Sequence, residues 1–152
     1  MQTHGLKLAF VTVVAAMALG GGCADETDHT GLACSNDSDC GGSVPNLICD
    51  QSKVCADKAT LRTIRVNWTI NGNTPSGATC TGIDRMKLEF TSEDNAVAFA
   101  FDPVPCAAGS FPIDKMPNAV IKVKITATKL TGAPLVGESF IDGSGNVNIN
   151  IK

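Results

Sequence analysis

At 152 residues the chain can build one hydrophobic core of ordinary size. Its 12 basic and 15 acidic residues leave a formal charge of −3, and no basic stripe interleaved with aromatics is present, which argues against nucleic acid as a partner. The seven cysteines have to be read against the compartment, and the N-terminus sets that.

A single Lys7 precedes an apolar or small run from Leu8 to Leu19. That run is shorter than the roughly 20 residues a bilayer span needs, and it suits the core of an export signal. Small residues follow in Ala18-Leu19-Gly20-Gly21-Gly22-Cys23. The stretch resembles the lipobox of bacterial lipoproteins, with one departure: Gly20 stands where that family prefers Leu, and Leu19 lies one position earlier. The resemblance implies that residues 1–22 are removed, that the Cys23 thiol is diacylated and that its new amine is acylated. Two chains already suffice for stable attachment, at about 0.8 kcal/mol per buried methylene. By the same resemblance, Ala24 after the cysteine points to the outer membrane of a Gram-negative envelope, while Asp25 complicates the sorting. Ordinary secretion is the alternative, because Ala16-Met17-Ala18 fits an A-x-A cleavage site. It would leave Cys23 as an odd thiol.

Residues 23–33 read as an acidic flexible tether, poor in large apolar side chains and carrying His29 as a solvated residue. Residues 34–57 form a cysteine-rich module with the spacing C-x5-C-x8-C-x5-C at Cys34, Cys40, Cys49 and Cys55. So few large apolar residues cannot make a core, so bridges must supply the constraint, each worth about 3 kcal/mol for a 15-residue loop. Spacing leaves three connectivities open; Cys34–Cys49 with Cys40–Cys55 is the one favoured here. Cys80 and Cys106 then pair in the domain behind. Zinc fits poorly, since structural zinc ligands usually follow C-x2-4-C spacing and no histidine assists. Asp37 and Asp39 read as solvated turn residues rather than calcium ligands, for no bidentate Glu closes the loop. The segment resembles short cysteine-rich modules, C-S-x-D-x-D-C with two further cysteines, of exported myxobacterial-type proteins and some animal extracellular proteins.

Residues 58–152 change to a period of two. Ile64, Val66, Trp68 and Ile70 alternate with polar neighbours. So do Met86, Leu88 and Phe90, and Val97, Phe99 and Phe101 alternate with alanines. Prolines 103, 105 and 112 allow a short edge strand near Ser110–Ile113. Ile121, Val123, Ile125 and Ala127 share one face of the clearest strand. A weaker strand covers Val136–Ile141, and Val147, Ile149 and Ile151 alternate with asparagines. Six or seven short strands separated by turns predict an all-β, antiparallel two-sheet sandwich with Trp68 in its core. The Cys80–Cys106 bridge would tie one end of it. Val66-Asn67-Trp68-Thr69-Ile70-Asn71-Gly72, Thr79-Cys80, Pro105-Cys106 and the lysine-studded strand resemble a domain of uncharacterised myxobacterial-type lipoproteins. That domain is similar to immunoglobulin-like and prealbumin-like sandwiches, and the resemblance implies fold and location alone.

Little here suggests catalysis or a cofactor. A triad needs a base beside a nucleophile, and the one histidine past the leader lies in the tether. Glu93-Asp94 and Asp142-Gly143-Ser144-Gly145 read as turns. The expected role is non-enzymatic binding: Lys122 and Lys124 on one strand, with Arg85 and Lys87 on another, would make a basic patch if the strands are neighbours. Its partners would be envelope polysaccharide, protein, or the acidic module of the same chain. A structural or secreted protein with no small-ligand site is the alternative.

Overall fold

The computed structural model describes residues 30–41 and 45–152. The expected leader, the Cys23 anchor and the tether up to His29 lie outside the described residues. Alternation becomes strand throughout the rest. A short hairpin of β1 (Leu47–Cys49) and β2 (Cys55–Asp57) belongs to the module. Seven strands follow: β3 (Leu61–Ile70), β4 (Ile83–Ser92), β5 (Val97–Phe101), β6 (Ser110–Pro117), β7 (Val120–Lys129), β8 (Leu135–Phe140) and β9 (Asn146–Ile151). They form two sheets, ordered β6-β3-β9 and β5-β4-β7-β8, packed as a sandwich. Among the described residues there is no α-helix.

The core lies between the sheets. Ile64, Val66, Trp68, Ile70, Val147, Ile149 and Ile151 face Met86, Leu88, Phe90, Val123, Ile125 and Ala127, all buried. Trp68 is at the core as expected, 3% exposed, and its indole N–H donates to the Cys106 carbonyl at 3.1 Å. The Cys80–Cys106 bridge therefore closes the end of the sandwich where Trp68 sits.

Three details depart from the simple pattern. One ladder is not antiparallel: β9 pairs with β3 in parallel, from Arg65 opposite Asn146 to Ile70 opposite Ile151. The chain reaches β9 from β8 in the other sheet, so the turn at 142–145 carries it across the sandwich rather than around a hairpin. A bulge in β7 opposite Thr91 and Ser92 shifts the register, so Val120, not Ile121, takes the buried position. The strand expected near Ser110–Ile113 runs on to Pro117, again at a sheet edge.

One side of the sandwich is nearly closed. Val136 and Lys152 exchange N–H···O bonds of 3.2 and 3.3 Å, which brings β8 against β9. On the other side β5 and β6 remain outer strands, bridged by Phe101 and Phe111, whose ring centroids lie 5.2 Å apart.

The module is held by Cys34–Cys49 and Cys40–Cys55, the pairing favoured from the sequence. Its buried apolar set is those four half-cystines and Leu47. Residues 30–33, which composition placed in the tether, instead run along the hairpin: Gly31 N–H donates to Cys55 O at 2.9 Å and Cys55 N–H to Leu32 O at 2.8 Å. Backbone pairing accounts for this, and it needs no apolar side chain.

Candidate functional site

The four basic residues expected to form a patch do share one sheet face, because β4 and β7 are neighbours. The register also brings acids among them. Arg85 Nε lies 2.5 Å from Asp102 Oδ1, and Lys87 Nζ lies 2.7 Å from Glu89 Oε1. Lys124 stands opposite Glu89 on one side and Glu138 on the other. Lys122 sits between Thr91 and Phe140, a residue 72% exposed. Acids thus lie among the bases on this face: Arg85 and Lys87 are ion-paired, and Lys124 has an acid opposite it on each neighbouring strand.

The lysine that meets the acidic module is a different one. Asn36 caps the 3-10 turn Asp37–Cys40, and the Asp39 carboxylate accepts the backbone N–H groups of Ser35 and Asn36 at 2.7 and 3.1 Å. Asp37 accepts from Lys115 Nζ through both oxygens, at 2.6 and 2.8 Å, and from the Cys49 N–H at 3.1 Å. The Lys115 hydrogen bond, aided by the Cys49 N–H and the lysine charge, holds the Asp37 carboxyl below its ordinary value. Both aspartates are exposed in this turn, as expected, and their carboxylates also brace it. Asp114 and Lys115 form a bulge in β6, two residues opposite Thr63 alone, with Lys115 at φ 57°. Gln51 of the module donates to the carbonyls of both bulge residues, its side chain to Asp114 O at 2.7 Å and its N–H to Lys115 O at 3.3 Å. A cleft of about 420 Å³ lies at this seam, walled by Ile48 and Leu61.

The outer face of the three-stranded sheet is different in character. Parallel pairing sets Asn67 beside Asn148 and Thr69 beside Asn150. Asn67 Nδ2 donates to Asn148 Oδ1 at 3.2 Å, and Thr69 Oγ1 to Asn150 Oδ1 at 3.1 Å. A hollow of about 230 Å³ lies over them. Each of these residues was legible as outward-facing; their meeting was not, since it depends on the parallel ladder.

Two of the acids singled out in the sequence are occupied in turns. Asp94 accepts from Ser92 Oγ at 2.6 Å and from the Ala96 N–H at 3.0 Å, which lowers its pKa. Asp142 accepts from Ser144 Oγ at 2.6 Å and Ser144 N–H at 2.9 Å, with the same effect. The sulfurs of Cys34, Cys40 and Cys55 lie within 4.8 Å of one another, but each is spent in a bridge and offers no thiolate to a cation. Compared with known proteins, the chain matches no family model, no curated protein and no solved structure.

Proposed function

We propose that this protein works outside the cytoplasm as a lipid-anchored, non-enzymatic binding module of a bacterial cell envelope, with the outer membrane as its site. The observation that carries this reading is how the cysteines are spent. Three bridges use six of the seven, and the module has little to bury besides its own half-cystines. Such a fold depends on an oxidising compartment. The seventh cysteine is Cys23, at the end of the lipobox-like stretch, where acylation would account for it. Polar sheet faces on a cross-linked scaffold favour binding over chemistry.

The test is the intact mass of membrane-extracted protein, expressed in a Gram-negative host, with and without reduction and alkylation. The expected species is residues 23–152 plus three acyl chains, with six cysteines labelled after reduction alone. A soluble chain beginning at Leu19, with a thiol that labels before reduction, would overturn the anchor. The open outer strand β5 favours a second reading, strand pairing with an envelope protein. Cross-linking from positions 98 and 100 to another protein in intact cells would support it over the first.

A further inference from the structure

The hydrogen bonds across the β3–β9 face determine which polar groups are left over. Asn148 Oδ1 is taken by Asn67 Nδ2, while Asn150 Oδ1 accepts from Thr69 Oγ1 and from the Gly72 N–H at 2.8 Å. Each amide is thereby oriented. The NH2 groups of Asn148 and Asn150 remain as donors, and Asn67 Oδ1 and the Thr69 lone pairs remain as acceptors. Beneath them the alternate residues Val66, Trp68, Ile70, Val147, Ile149 and Ile151 are buried, so the core holds the backbone that carries this array. Strand geometry sets the two rows about 6.6 Å apart along the strands and their members about 4.8 Å apart across them.

We propose that this face binds neutral glycans, one hexose ring at a time, in the hollow over Asn67, Thr69, Asn148 and Asn150. The proposal rests on the binding-module reading and adds the ligand class to it. No ionisable side chain lines the hollow, so an acidic polymer finds no counter-charge there. Arg65, two residues before Asn67 on that face, reaches towards Ser110 Oγ at 3.5 Å. Sugar hydroxyls donate and accept at once, which matches an array of fixed donors beside fixed acceptors. Because protein–protein hydrogen bonds already orient the amides, binding has little side-chain freedom left to remove. At about 230 Å³ the hollow is smaller than the roughly 300–1,000 Å³ pockets that enclose drug-sized ligands. One ring therefore fits, affinity per site is low, and many anchored copies on one polymer gain by avidity.

The test is affinity electrophoresis of the folded full chain in gels containing a neutral glucan, a mannan or a galactan, with the polyuronate alginate alongside. The expected result is retardation by at least one neutral polymer, unchanged by added salt. Asn148→Ala, whose amide supports no backbone group, should weaken that retardation at least about fivefold, the scale of one lost hydrogen bond. Its thermal unfolding should be unchanged, and Asn67→Ala should behave likewise. A Lys122→Ala/Lys124→Ala variant should be retarded as strongly as the parent. The proposal is overturned if no neutral polymer retards the protein, or if both asparagine variants bind like the parent. It is also overturned if alginate alone retards it and salt or the lysine variant abolishes the effect. Each of these outcomes is independent of the acyl-chain mass, so glycan binding and membrane anchoring can fail separately.

Discussion

Gly137 and Gly145 show what single residues contribute to the closing of this sandwich. At Gly137 in β8, an added Cβ would lie 2.5 Å from Ile149 Cγ2 and 2.9 Å from Asn150 O, both on β9. At Gly145, with φ at 71°, it would lie 2.4 Å from Thr63 O, where the chain turns in to pair with β3. Both glycines allow a close backbone approach to another strand. Gly137→Ala should therefore destabilise the fold by about 1–3 kcal/mol, the usual cost of forcing extra volume into a packed site. Gly143→Ala, with nothing within 4 Å, should stay within about 0.5 kcal/mol of the parent. Urea unfolding of the two variants provides the comparison. Neither glycine stands out in the sequence from the thirteen others, because its reason is a strand remote in the chain.

At the scale of elements, the strands follow from their own alternation, while their ends and bulges answer to neighbours. The loops around Cys80 and Cys106 show how one end is secured. The bridge closes a separation of 26 residues, and the Cys106 carbonyl also accepts the Trp68 indole N–H. Replacing both cysteines by serine should cost about 3.5 kcal/mol in the chain-entropy account. Thermal unfolding should register this as a lower midpoint with the sheet circular dichroism retained below it. A loss below about 1 kcal/mol would mean that packing around Trp68 alone secures that end. The cysteines and their loops were readable from the sequence. The indole's partner was not, since a side chain to carbonyl bond across 38 residues leaves no local pattern.

For the whole molecule, the docking of the module on β6 includes, beside the two Gln51 hydrogen bonds, a pair that titrates. Asp37 has its pKa lowered in the folded protein, chiefly by the Lys115 hydrogen bond. Its contribution is therefore fully present above the ordinary value of 3.8 and is lost as pH falls through the lower folded value. Carboxyl NMR titration of the folded protein should place Asp37 below the ordinary range, and Lys115→Met should move it back up. No change in that variant would mean the Cys49 N–H sets the shift instead. By docking there, the module also covers part of an outer strand that would otherwise present unpaired backbone groups.

What the sequence by itself determined is what local chemistry carries: alternating strands, a disulfide module too poor in apolar residues to fold without bridges, a core tryptophan and an all-β sandwich. These follow from side-chain periodicity and cysteine spacing, which act within a few residues. Only the tertiary structure decided which strands meet. It placed acids beside Arg85 and Lys124, where an isolated basic patch was expected. It chose Lys115 as the lysine that meets the module, and it lined up asparagines on β3 and β9 through a parallel ladder. Outward-facing polar residues look alike along the chain. Their partners are set by sheet order and register, and those come from how the buried faces pack together.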